Sequence, residues 1–308
     1  MNDIYDVIII GGGPAGLSAA IYTGRGRLKT LILEKGMPGG QILTSDWIEN
    51  YPGFPEGISP FQLMDEFRKQ AERFGAVIQT DEIRTIKKQK EHWLLSGYQG
   101  SYLTRVIIIA TGSNYRKLGV EGEEELTGRG VSYCATCDAA FFKDKKIAVV
   151  GGGDNALTEA IFLAKFGKSL HVIHRRDQFR GEKILQERIF SHEKIDVILD
   201  SVVIKINGKD KLEGVTLKNV KDNTTHEQKV DGLFISIGTL PNTEFIKDLV
   251  ELDEQGLIKV NVEMKTNQEG IFAAGDVSNA CPKQVATAAG SGVNAAMSIN
   301  DYLQSMDQ

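Results

Sequence analysis

Residues 4–34 read IYDVIIIGGGPAGLSAAIYTGRGRLKTLILE. The apolar run 4–10 has the composition of a fully buried strand, and it stops at a cluster of glycines. Gly11, Gly13 and Gly16 form G-x-G-x-x-G, with Pro14 and Ala15 between the second and third glycines. A helix-favouring stretch follows, and a second β-like run closes at Glu34. Strand, glycine turn, helix and strand within some thirty residues predict a dinucleotide-binding unit. The bare turn offers backbone N–H groups and a helix dipole to a pyrophosphate, and Glu34 is placed to accept hydrogen bonds from a ribose.

The pattern recurs. KIAVV at 146–150 leads into Gly151, Gly152, Gly153, Asp154, Asn155 and Ala156, then a helix-like stretch, then SLHVIHRR at 169–176. Three further β-like runs end in glycine motifs: RVIIIATG at 105–112, GLFISIG at 232–238 and GIFAAGD at 270–276. Alternation of β-branched runs with helical stretches predicts an α/β fold of two Rossmann-like dinucleotide-binding domains with parallel sheets. The second is expected as an insertion into the first: residues 1–114 and 244–308 form one domain and 115–243 the other. Two crossings would make a two-strand hinge. The acidic EGEEE at 121–125 is expected to be a solvated loop.

A chain of 308 residues has room for about two domains. Its 41% hydrophobic and 25% charged residues exclude collagen-like, mucin-like and disordered classes. Glycine is over-represented, with 33 residues, which suggests turns where backbone approaches a ligand. The net charge of −5, without a long basic run, argues against nucleic acid as a partner. No apolar run reaches the length of a membrane span. Acids near the N-terminus are unlike a secretory signal, so a cytoplasmic location is expected.

Cys134 and Cys137 form a C-x-x-C pair, and Cys281 is the only other thiol. In a reducing compartment that spacing means redox chemistry or a metal site. Zinc needs two more ligands, and neither Cys281 nor the five histidines supplies a pair at ligand spacing, so no metal is expected. The run Cys137–Phe142 looks like a helix start, which would lower a thiol pKa. Asp138 is a candidate acid–base group. Cys281 has no role beyond a small apolar filler.

Where the second unit should carry an acid after its second strand, it carries His174, Arg175 and Arg176, with Arg180 close behind. Guanidinium forks suit the extra 2′-phosphate of NADP. Two nucleotide sites beside a dithiol suggest a relay from NADPH through a flavin to the Cys134–Cys137 disulfide.

CATCD ahead of the second glycine turn and HRRDQFR after it make the chain resemble the low-molecular-weight thioredoxin reductases. So do EKGMPGGQ at 34–41, IENYPGFP at 48–55, ATG at 110–112, GIFAAGDV and KQVATAAGSG at 283–292. The likeness runs from residue 4 to residue 303. It implies FAD in the outer domain, NADPH in the inserted one, a thioredoxin or thioredoxin-like protein as partner, and a homodimer. Carried over by position, it assigns FAD contacts to Glu34, Lys35, Gly39, Gly40, Gln41 and Asn50 and to Asp276, Lys283 and Gln284, with Ala110, Thr111, Gly112, Gly275 and Val285 as further cofactor-binding residues. It has Cys137 facing the flavin, Cys134 attacking the partner and Asp138 handling the proton. At the second turn the family carries a small hydroxyl residue where Asn155 stands, and two consecutive acids where Thr158 and Glu159 stand. The alternatives are a ferredoxin-fed reductase or flavin dithiol oxidase of the same fold, and a nucleotide-sensing module with a zinc-held C-x-x-C. The basic cluster at 174–180 speaks against the first two.

Overall fold

The computed structural model describes residues 4–45, 47–280 and 282–306. Cys281 therefore lies outside the described residues. Along the chain, β1 (Ile4–Ile10), α1 (Pro14–Arg25) and β2 (Thr30–Glu34) realise the first motif. They are followed by α2 (Pro60–Arg73), β3 (Val77–Thr80), β4 (Ile83–Gln89), β5 (His92–Gly97), β6 (Ser101–Ile109) and β7 (Ser113–Tyr115). Next come α3 (Glu123–Leu126), β8 (Val131–Ser132), α4 (Ala135–Asp138), β9 (Lys146–Val150), α5 (Asp154–Leu163), β10 (Ser169–Ile173), α6 (Lys183–Phe190) and β11 (Ile195–Ile198). The strands β12 (Ser201–Gly208), β13 (Leu212–Asn219), β14 (Thr225–Gln228), β15 (Gly232–Ile235) and β16 (Thr239–Pro241) precede β17 (Ile271–Ala273) and the long α7 (Val285–Met306).

Two compact units result, one of residues up to Asn114 with those from Leu240 onward, the other Tyr115–Thr239. The sheet of the first runs β3-β2-β1-β6-β5-β4, with β17 also on β6. The strands β1, β2, β3, β6 and β17 pair in parallel, and β4 and β5 extend the sheet antiparallel. A central parallel strand is covered on both faces, and the sequence shows it. In β1, Val7 and Ile9 enter one apolar cluster with α1 and α7, while Ile8 and Ile10 enter the other. The second unit repeats the arrangement in a parallel sheet ordered β11-β10-β9-β15-β8. Ile147 and Val149 of β9 face the helices, and Ala148 and Val150 face the β12-β13-β14 antiparallel sheet.

The crossings are the short strands β7 and β16, which pair with each other. The first unit resumes at Leu240, and Asn242 is bound within it. Its amide donates to the Thr111 carbonyl at 2.8 Å, its backbone N–H to Gly112 O at 3.0 Å, and its carbonyl accepts the Thr111 hydroxyl at 2.9 Å.

Two local expectations are corrected. The 121–125 stretch is not simply a solvated loop. Glu123 opens α3 and is only 1% exposed, its carboxylate accepting the N–H groups of Leu118 and Gly119 and the Tyr133 hydroxyl. Three donors satisfy the charge that burial would otherwise penalise. The helix beside the dithiol begins earlier than Cys137, with Cys134 in extended backbone as its N-cap. The turn closes there because the N–H groups of both Cys137 and Asp138 donate to the Cys134 carbonyl.

Candidate active site

In the first unit two glycines of the turn are held by backbone contacts that exclude any larger residue. Gly11 has φ +107°, and a Cβ there would overlap the Ala110 carbonyl; one on Gly16 would overlap the Gly11 carbonyl. Gly13 caps α1 without a side-chain hydrogen bond, and Pro14 opens the helix. The first-turn N–H groups therefore look for partners outside the helix. Glu34 ends β2 with one carboxylate oxygen on the Gly12 N–H at 2.6 Å and the other on the Gly36 N–H at 3.1 Å. Lys35 follows it into the loop, where the Gly39 N–H donates to Gly12 O, laying Gly39, Gly40 and Gln41 against the turn. Gly39 and Gly40 both have positive φ.

Distant segments arrive at the same unit. The Asn50 amide donates to Gln284 Oε1 at 3.1 Å. Ala110, Thr111 and Gly112 leave β6 beside Gly11, pinned by Asn242. Gly275 has φ +76° and donates its N–H to the buried Ser291 hydroxyl, just ahead of Asp276. Asp276 Oδ1 is buried without a hydrogen-bond partner among the described residues. Burial raises the Asp276 carboxyl above its usual range, opposed by Lys283, and burial lowers the Lys283 ammonium, opposed by Asp276. A buried carboxylate oxygen lacking a donor fits a ligand hydroxyl. Val285 begins α7 just beyond.

In the second unit a Cβ on Gly151 would overlap the Ser236 carbonyl, whereas Gly153, the N-cap of α5, has open space around it. Asn155 is exposed and Ala156 buried in the first turn of α5. The backbone N–H groups of Arg180 and Gly181 both donate to Gly152 O, so the arginine loop is tied to the glycine turn. Arg175, Arg176 and Arg180 are exposed there. His174 parts company with them. It is 5% exposed, its ring packed under Gly152 and against Phe179, and its Nε2 has no partner among the described residues. Burial lowers the His174 pKa, with the three arginines pushing the same way and a backbone hydrogen bond at Gln178 opposing.

The same unit carries the dithiol. Cys134 and Cys137 are joined in a disulfide, their Cα atoms 5.3 Å apart. Asp138 Oδ2 accepts the Ser132 hydroxyl at 2.6 Å. Among the described residues no group of three His, Cys, Asp or Glu side chains is gathered as a metal would need.

Residue-level reading missed Ser132, Asn242 and the character of Glu159. The last lies on α5, where burial raises its carboxyl to about 7 against a hydrogen bond from Ser236. Its position in the first turns of α5, next to Thr158, was the available signal, but the burial was not.

Two nucleotide-type turns, an arginine loop and a redox-capable disulfide define an oxidoreductase that moves electrons between a pyridine nucleotide and a disulfide. The family model described as pyridine nucleotide-disulphide oxidoreductase matches residues 5–292. The chain is 45% identical over 309 residues to the thioredoxin reductase of Streptomyces coelicolor, covering 99% of this chain and 96% of that one. It is 44% identical over 306 residues to that of Bacillus subtilis, with the same coverage. The crystal structure of thioredoxin reductase from Streptococcus pyogenes superposes with a TM-score of 0.94 at 44% identity, covering 99% of this chain and 100% of that one. The chain belongs to the pyridine nucleotide-disulphide oxidoreductases and, within them, to the thioredoxin reductases. Membership implies a flavin and a pyridine nucleotide as cofactors. Among the described residues no helix is long and apolar enough to cross a membrane.

Proposed function

We propose that this reductase takes its electrons from NADPH, carries FAD, and delivers the electrons through Cys134 and Cys137 to a thioredoxin or thioredoxin-like protein, working in the cytoplasm as a homodimer. The observation that carries the reading is the Cys134–Cys137 disulfide with Asp138 held beside it, in the unit whose glycine turn is overhung by arginines. FAD fits the first unit: the turn at Gly11, Gly13 and Gly16 takes the pyrophosphate, Glu34 the ribose, and the unpartnered Asp276 oxygen a ribityl hydroxyl. Lys283 and Gln284, the latter fixed by Asn50, border the ring. NADPH fits the second unit, with its pyrophosphate over Gly151 and Gly153 and its 2′-phosphate on Arg175, Arg176 and Arg180. When bound, the pyridine nucleotide would supply a hydride, and the flavin would supply the two-electron link to the disulfide.

The chain's own work is at sulfur. Cys134, half-exposed at the head of α4, is the attacking thiolate; Cys137 resolves the mixed disulfide; Asp138 gives and takes the proton.

An anaerobic titration of the purified yellow protein tests the donor. NADPH should bleach the flavin absorbance at near-stoichiometric amounts, with NADH far weaker. Bleaching by neither nucleotide would overturn the donor assignment and put electron entry elsewhere.

A further inference from the structure

Ser132 ends β8 and is 5% exposed. Its hydroxyl donates to Asp138 Oδ2 at 2.6 Å, and the same oxygen accepts the backbone N–H of Cys134 at 3.1 Å. One buried oxygen thus touches both the acid and the backbone of a redox cysteine. The Cys134 carbonyl, 3.5 Å away, is a second acceptor in reach of the same hydroxyl.

A serine hydroxyl has one hydrogen to give and two lone pairs to receive with. Facing an ionised carboxylate, the hydrogen goes to Asp138, because the charge-assisted bond is the stronger. When Asp138 carries a proton, the carboxyl can donate into the Ser132 oxygen, and the serine hydrogen is free to turn to the Cys134 carbonyl. Asp138 keeps a partner at the same oxygen in both states. A methyl group there would offer neither role, and the carboxyl would lose the partner it has at Oδ2.

The point matters because the acid changes state twice in each exchange. The Cys134 thiolate bonds to one sulfur of the partner's disulfide, the partner's S–S bond breaks, and the leaving thiolate takes the proton of Asp138. The Cys137 thiol then passes its proton to the Asp138 carboxylate and attacks the Cys134 sulfur. The enzyme disulfide forms, and the second partner thiolate takes its proton from water. Two electrons have moved from the enzyme dithiol to the partner, and Asp138 is again protonated.

We propose that Ser132 is a positioning residue of this reaction, holding Asp138 at the Cys134–Cys137 pair through both protonation states. The inference rests on the reading of Asp138 as the proton-transfer group.

The test follows a single turnover of thioredoxin reduction by the NADPH-reduced holoenzyme, with the flavin spectrum checking that each variant is folded and loaded. Ser132→Ala should slow the saturated rate on the order of 10-fold with little change in half-saturating thioredoxin, as expected when acid–base geometry is lost. Ser132→Thr, which keeps the hydroxyl, should restore it. In an Asp138→Asn background, Ser132→Ala should add less than about twofold, because both changes remove the same device. A full rate in Ser132→Ala, independent effects in the double variant, or no rescue by threonine would overturn the proposal. A full rate in Asp138→Asn would bring down the reading of Asp138 itself and the inference with it. Should Ser132→Ala not fold, Ser132→Cys, a weak donor of similar size, should show the same loss.

Discussion

A carboxyl is ordinarily a solvated group, and Glu123 and Glu159 are not. Glu123 is buried and fully paired, so its charge is tolerated. At Glu159 the hydrogen bond from Ser236 does not offset burial, and its carboxyl moves from an ordinary 4.5 to about 7. Because the folded state holds that proton more tightly than the unfolded chain, the contribution to stability is complete below about pH 4.5 and lost as pH rises through 7. Glu159→Gln keeps the shape and an acceptor for Ser236 without the charge. The melting temperature of the variant should exceed that of the parent by roughly 3–6 °C at pH 8 and by little at pH 5, as a residue-scale stability gain implies. Melting curves at both pH values check this, and a gain equal at the two would contradict it. No periodicity announces these carboxyls, since burial of a charge depends on which segments fold over it. The same holds for Ser132 and Asn242, whose partners Asp138 and Thr111 are fixed by tertiary closure.

At the scale of elements the sequence was far more legible, because the information is local. Both glycine turns stand where β-branched runs end and helices begin, and the structure places β1, α1, β9 and α5 there. The arginine loop was also legible, as a break from the acid expected after the second strand. What was not legible was the start of α4, set by carbonyl sharing at Cys134 rather than by helix propensity. The glycines divide into two kinds. A methyl on Gly16 would overlap backbone of its own turn, whereas one on Gly153 meets nothing. Gly153 also has a φ of −97°, open to any residue. Gly16→Ala should therefore force the turn apart and yield protein with little or no flavin. Gly153→Ala should fold with its flavin and melting temperature nearly intact, yet fill space assigned to the nucleotide phosphates. A KM for NADPH raised at least several-fold is expected. Flavin content and steady-state kinetics separate the two, and a flavin-replete Gly16→Ala protein would refute the packing argument.

Across the whole molecule, the order of motifs reads as an insertion, and Tyr115–Thr239 forms one compact unit between two segments of the other. The consequence of that order is kinetic. The turn assigned to NADPH and the Cys134–Cys137 pair lie in one unit, and the turn assigned to the flavin lies in the other. Hydride transfer and dithiol exchange each require reacting atoms within about 3–3.5 Å. Two clients carried by one unit and one flavin held by the other are expected to take turns, and rotation about the two crossings is the expectation to be tested. A short bifunctional lysine reagent, followed by isolation of the internally linked chain, would fix one arrangement. The linked enzyme should keep its flavin and retain either bleaching by NADPH or exchange between flavin and dithiol, but not both, so that steady thioredoxin reduction falls by at least about 10-fold. Alternate rotation would be refuted by full turnover in the linked chain. Loss of both half-reactions with flavin retained would mean that the link had trapped an arrangement serving neither client, and a reagent of different span should then recover one of them.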